Sequence, residues 1–306
     1  MSNGLLAKLT QGQRERLAYI EFRLYFLGEV RRPDLSSRFG VAPAGATRDF
    51  ALYKELAPNN IEFDSSSKIY RIGRNFSPAF EHVPERVLSS LSQGFGDGLG
   101  GSPKSLIPCE FPMSLNRPFM AVLAPVTRAI HRQCPLSIQY HSMSSGSTTR
   151  EIIPFALVDN GLRWHVRAFD RKSGEFRDFV ITRMEHPTVL ENNEVKEYER
   201  SSQDIQWTRI VELDLVPHPS HGHPEIIAMD YGMKNRVLRL KARAAVAGYM
   251  LRQWSVDCSH DHRLVGPEYR LWLRDSLALY GVANAVLAPG YANPGSIVAP
   301  QTDRDR

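Results

Sequence analysis

Apolar positions in the first quarter of the chain recur every three or four residues. Leu17, Ile20, Leu24 and Leu27 fall on one face of a helix predicted from Gln11 to Leu27, closed by Gly28. Arg31 to Phe39 predicts a second, shorter helix ahead of Gly40. Pro43 suits the first turn of a third helix running to about Ala57. On it Ala46, Phe50, Tyr53 and Ala57 form an apolar face. Ala44, Arg48, Ala51 and Glu55 lie roughly opposite, with Thr47 beside them. The period then drops to two: Ile61-Glu62-Phe63 and Lys68 to Ile72 predict a hairpin around Asp64-Ser65-Ser66-Ser67. Alternation returns between Ser137 and Met184 as four short strands, Ser137–His141, Arg150–Val158, one from Leu162 to Phe169, and Phe176–Arg183. Asp159-Asn160-Gly161 supplies a hairpin turn, because Asn and Gly tolerate positive φ. Pro154 inside the second strand argues for an edge or a bulge.

Between and beyond these blocks the signals are sparser. Phe76 to Leu91 predicts a linking helix with Pro84 near its start. Gln93 to Pro118 is rich in Gly, Ser and Pro and reads as a mobile linker. It lacks the Gly-Lys-Ser/Thr ending of a phosphate-binding loop, so no chemistry is assigned to it. Phe119 to Cys134 predicts a helix with a kink at Pro125. After an acidic segment, Ile210 to Val216 alternates as a strand. A basic stretch, Lys234 to Arg243, precedes an apolar helix from Ala244 to Trp254, and Leu271 to Leu279 predicts another helix.

Composition narrows the class. Residues 1–75 carry 12 Lys/Arg against 8 Asp/Glu, residues 119–190 carry 9 against 6, and residues 191–306 carry 14 against 15. The excess of positive charge lies in the first two-thirds, as expected if those parts meet phosphates and the last part meets protein. Three cysteines without a Cys-x-x-Cys pair fit a reducing cytosol. No apolar run approaches the roughly 20 residues of a membrane span. The expected location is the cytoplasm, with no membrane contact.

Three helices and a terminal hairpin predict a winged helix-turn-helix, in which the third helix enters the DNA major groove by its N-terminal residues. Arg48 is the candidate for a base or phosphate contact, flanked by Ala44, Thr47 and Lys54; the small outward alanines permit close approach to a groove. Lys68 and Arg71 are candidates for backbone contacts from the wing, and Arg31 and Arg32 for a flanking phosphate. A three-helix module that binds protein is the other reading. In the later strands, Arg163, His165, Arg167 and Phe169 share a face, as do Arg177, Phe179, Ile181 and Arg183 on the next strand. Guanidinium groups interleaved with rings suit phosphates and stackable bases, although a solvated Arg-rich face shows the same pattern. His218, His221 and His223, and Cys258, His260 and His262, lack zinc-site spacing and read as ordinary loops. An enzyme using His165, Asp170 or Ser142 finds no support in nucleophile-elbow, metal-ligand or Walker spacing. Neither a metal nor another cofactor is expected.

The order Ile138-x-Tyr140, Arg150-x-x-x-Pro154, Gly161-x-x-Trp164-His165-Val166-x-Ala168-Phe169-Asp170, Gly174-x-Phe176-Arg177-x-Phe179 and Thr182-Arg183-Met184 resembles a WYL domain. Trp164-His165-Val166 stands where that family carries its Trp-Tyr-Leu triplet, so His165 departs from the pattern. The resemblance implies a small Sm-like β-barrel that binds a regulatory ligand, a single-stranded nucleic acid or a nucleotide. Carried over position by position, its ligand residues are Tyr140, Ser142, Arg150, His165, Arg167, Arg177 and Arg183, lining one surface. The strand at 210–216, His218-Pro219, Asp230-Tyr231-Gly232-Met233 and Pro267-Glu268-Tyr269-x-Leu271-x-Leu273 resemble the C-terminal extension of such proteins, an α/β dimerisation unit. The whole is then a multidomain α+β chain: a winged helix-turn-helix (1–76), a linking helix and linker (77–118), a WYL-like sensor (119–190) and the extension (191–306). It resembles the single-chain WYL repressors associated with BREX and CBASS anti-phage defence. The resemblance implies a homodimer on an inverted-repeat, double-stranded operator; an activator with the same parts is the alternative.

Overall fold

The computed structural model describes residues 6–95, 105–110 and 115–292, so most of the glycine-rich part of the expected linker lies outside the described residues. The chain divides into two units, Met1–Phe111 and Pro112–Arg306.

In the first unit α1 (Gln11–Leu27) opens on a reciprocal cap between Thr10 and Gln13 and ends at Gly28, whose φ of 79° places it in the left-handed region. α2 (Arg32–Phe39) stops in the same way at Gly40, and α3 (Pro43–Leu56) starts on Pro43. The wing has three strands rather than two. β1 (Glu29–Val30) pairs with β3 (Ile69–Ile72), which pairs with β2 (Ile61–Asp64). Two residues are too few to show alternation, so β1 left no trace in the pattern. Leu17, Ile20, Leu24, Leu35, Phe50 and Tyr53 fill the core. Phe50 stacks on Tyr70, with centroids 3.9 Å apart, fixing α3 to the wing. The linking helix, α4, is confined to Pro84–Gln93. The segment before it is irregular and held by Glu21, which is wholly buried. Glu21 accepts from the Tyr53 hydroxyl (2.9 Å) and from the backbone N–H groups of Ala79 and Phe80. Burial beside Glu21 pushes the Tyr53 phenol well above its usual range, so it remains a donor.

The second unit begins with α5 (Met120–Arg132), which carries Pro125 within it. It packs on a five-stranded antiparallel sheet of order β7-β6-β5-β4-β8: β4 (Leu136–Ser142), β5 (Gly146–Asp159), β6 (Trp164–Asp170), β7 (Glu175–Val180) and β8 (Met184–Val189). The expected bulge falls between Pro154 and Ala156. Among the described residues β7 and β8 do not pair, so the sheet is open where a closed barrel was expected. The strand predicted over Phe176–Arg183 ends at Val180, and Ile181–Arg183 form a 3₁₀ turn.

After the short helix α6 (Ile205–Thr208) comes β9 (Ile210–Pro217), the centre of a second sheet of order β10-β9-β11. β10 (Leu238–Arg243) forms from the basic stretch, whose outward Arg239 and Lys241 face Asp214 and Glu212 on β9. α7 (Pro224–Asp230) and α8 (Ala244–Gln253) complete this part. The helix expected over Leu271–Leu279 is instead β11 (Leu271–Leu273) and a 3₁₀ turn at Ser276–Leu279. Leu271 and Leu273 alternate into the core while their backbone completes β9, and that pairing overrides the helical spacing. On α8, a Cβ at Gly248 would lie 2.0 Å from the Asn284 carbonyl oxygen, so this close approach requires glycine.

Candidate nucleic-acid interface and sensor surface

α3 sorts its side chains by period. Ala46, Asp49, Phe50, Tyr53 and Leu56 are buried, while Ala44, Thr47, Arg48, Ala51 and Lys54 are exposed along the opposite side. Asp49 fixes the roll of the helix: Arg16 on α1 donates to its two oxygens at 2.7 and 3.2 Å. Thr47 turns its hydroxyl back to the Pro43 carbonyl at 3.0 Å. Arg48, Lys54 and the wing-tip residue Lys68 have no ion pair among the described residues, so their charges face solvent.

The other predicted cations are differently employed. Arg32 is half-buried, donates to the Tyr70 hydroxyl at 3.2 Å, and lies over the rings of Phe63 and Tyr70. It therefore braces α2 against the wing through one of its nitrogens. Arg31 and Arg71 are exposed, but Glu29 and Asp64 stand within 4 Å of one or both. The wing turn is set by Asp64, which accepts from the hydroxyls and backbone N–H groups of Ser66 and Ser67. Those bonds hold its carboxyl well below the usual range.

The structure does not bring the seven predicted ligand residues to one surface. Directly opposed residues share a face of an antiparallel pair. His165 opposes Val180 and Arg167 opposes Asp178, whereas Ala168 opposes Arg177. His165 and Arg167 thus lie on one face and Arg177 on the other, where it donates to Glu175 at 2.6 Å. Tyr140 is in the core, its hydroxyl accepting from the Val180 N–H. Ser142 lies in the β4–β5 hairpin beside Ser144. Arg150 pairs with buried Asp170 at 2.5 Å. Arg183, half-buried, sits in the 3₁₀ turn after β7.

Around Arg167 the structure adds residues that strand alternation alone does not mark. Arg167 is buried and donates twice to Asp204 (2.8 and 3.1 Å) and once to Asp178 (3.2 Å). The other oxygen of Asp178 accepts from the Tyr249 hydroxyl of α8 at 2.9 Å. The Tyr249 ring lies nearly parallel to His165, centroids 5.4 Å apart. His165 is buried with its Nδ1 unpartnered, and burial holds its pKa below the ordinary histidine value despite the opposing pull of Asp178. Beside this cluster, Arg171 donates to both oxygens of Glu199, at 2.7 and 2.8 Å.

Of the loop histidines, two are held by protein groups, while His223, His260 and His262 are exposed. His218 is fully buried between Asp257 (3.1 Å) and the Ser220 hydroxyl (2.7 Å), and His221 bonds the Tyr269 carbonyl. Burial pushes the Cys258 thiol up, which keeps it protonated.

Three family models divide the chain between them. Residues 12–93 match the BrxR transcriptional regulator winged helix-turn-helix domain, 121–189 the WYL domain, and 210–279 the BrxR transcriptional regulator C-terminal dimerization domain. Similar proteins include the DNA-binding transcriptional repressor CapW of Escherichia coli (strain KTE188), 32% identical over 264 residues, or 82% of this chain and 86% of that one. CapW of Pseudomonas aeruginosa is 30% identical over 258 residues, 80% of this chain and 84% of its own. CapW of Stenotrophomonas maltophilia is 29% identical over 287 residues, 88% and 95%. With the reading helix, the wing and the WYL sheet in the order these models require, the chain belongs to the BrxR/CapW family of WYL-domain transcriptional regulators.

Proposed function

We propose that this chain is a ligand-responsive, homodimeric repressor that binds an inverted-repeat operator and controls an anti-phage defence operon. The observation that carries the reading is the outer face of α3, where Ala44, Thr47, Arg48, Ala51 and Lys54 are exposed and the helix roll is fixed by Arg16 and Asp49. Such a face suits close approach to base edges by small side chains and to phosphates by cations. Lys68 and Arg71 supply backbone contacts from the wing, and Arg31 a flanking one. The C-terminal part, matched by a dimerization-domain model, pairs two chains so that two reading helices meet two half-sites.

The sensed ligand is a nucleotide or a short single-stranded nucleic acid. Its site is the His165–Arg167 face of the WYL sheet, with Arg163 exposed in the turn just before β6. Footprinting of the upstream intergenic DNA, with and without short single-stranded oligonucleotides, tests the reading. A protected two-fold repeat that is altered by the oligonucleotide is expected. No protection at any salt concentration overturns it.

A further inference from the structure

Arg167 is engaged from two directions. Asp178 lies on the neighbouring strand of the same sheet, whereas Asp204 lies in the segment leading to the C-terminal part. Asp204 also accepts from the Gln206 N–H and so caps α6. α6 is tied on to the rest of that part: Gln206 bonds Gly281 and Ala283, the Trp207 carbonyl accepts from Arg243, and the Arg209 carbonyl accepts from the Ala244 N–H at the start of α8. α8 then returns Tyr249 to Asp178. The result is a closed circuit from β6 through Asp204 and α6 to α8 and back to β7.

Two features set this circuit apart from simple glue. Apolar contacts of similar size would join the two parts without burying Arg167 and Asp204 and half-burying Asp178, so the charged version needs another reason. And the His165 Nδ1, buried against Tyr249, makes no hydrogen bond, whereas Arg167, Asp178, Asp204 and Tyr249 beside it are all joined to one another. A buried nitrogen without a partner calls for an explanation, and a cluster that alternates between two arrangements supplies one.

We propose that the Arg167–Asp204 pair is a breakable clasp. An oxyanion engaging Arg167 displaces Asp204, uncaps α6, and lets β9 and α8 shift against the sensor sheet. Asp204, Asp178 and Tyr249 are positioning residues that carry sensor occupancy to the C-terminal part. This rests on the reading of the chain as a ligand-responsive repressor.

Asp204→Asn in the full-length chain tests it without any ligand, because asparagine keeps the helix cap but weakens the hold on Arg167. Tyr249→Phe opens the circuit at its other end by removing one hydroxyl. The control is Glu199→Gln, which weakens the neighbouring Arg171–Glu199 pair, where the carboxylate is equally buried. Operator affinity and amide hydrogen exchange are measured for each. Asp204→Asn and Tyr249→Phe are expected to shift operator affinity in the same direction, by about fivefold or more. Both should raise exchange across residues 205–211, and Glu199→Gln should leave affinity unchanged. Unchanged affinity in Asp204→Asn, or an equal shift in Glu199→Gln, overturns the clasp. If the wild-type chain binds no upstream DNA, the repressor reading fails by itself. The clasp is then judged by exchange alone: Tyr249→Phe must loosen residues 205–211, and a response confined to α8 overturns it.

Discussion

Arg32 and Arg48 carry the same side chain to opposite ends. Arg32 folds back over Phe63 and Tyr70, while Arg48 projects from α3 into solvent. Arg48→Ala is therefore expected to weaken operator binding by about 1–3 kcal/mol with no loss of stability, read by mobility shift beside a urea melt. Arg32→Ala is expected to lower the melt first. A second contrast concerns titration. His165 is held below its ordinary pKa by burial, so the unfolded chain takes up the proton before the folded one does. Stability contributed by this residue is present above the unfolded value of about 6.5 and is lost as pH falls toward the folded value. Urea melts between pH 7 and 5 should show a steeper fall for wild type than for His165→Phe. The outward residues of α3 were legible from helical period alone. The bonds of Arg167 were not: Asp204 lies 37 positions away, and alternation reports which face a side chain takes, not what waits there.

At the scale of elements, the helices announced themselves because Gly28, Gly40 and Pro43 punctuate a clear four-residue rhythm. Strands fared worse where they were short. β1 is two residues long, and β11 hid inside a leucine pattern that also fits a helix until β9 claims its backbone. The arginine faces were misjoined for a related reason. Within β6 and within β7 the alternation is right, but which face of one adjoins which face of the other depends on register, set here by Ala168 opposing Arg177. The tie between α1 and α3 was equally hidden. Asp49→Ala would remove the partner of Arg16, and a loss of about 2–3 kcal/mol is expected in a urea melt. Arg16→Ala, Asp49→Ala together should cost less than the sum of the two single changes.

For the molecule as a whole, the net charge of +5 is modest, so affinity for DNA depends on where the cations stand rather than on their number. Operator binding should weaken steeply as salt rises, because each phosphate neutralised releases counterions. Lys68→Ala is expected to flatten a plot of log affinity against log salt by about one unit per chain without altering which sequence is preferred. The wing that carries Lys68 has a fixed seat. Asn60, at the start of β2, bonds both Tyr53 and Ser77, and Glu21 beneath them accepts from four separate donors. Prising the hairpin loose would break the Asn60 bonds to Tyr53 and Ser77 at its root and part Tyr70 from Phe50 on α3. A head so built offers the double helix an unyielding template, and any adjustment to an imperfect site falls to the DNA, whose easily kinked steps then become part of what is selected.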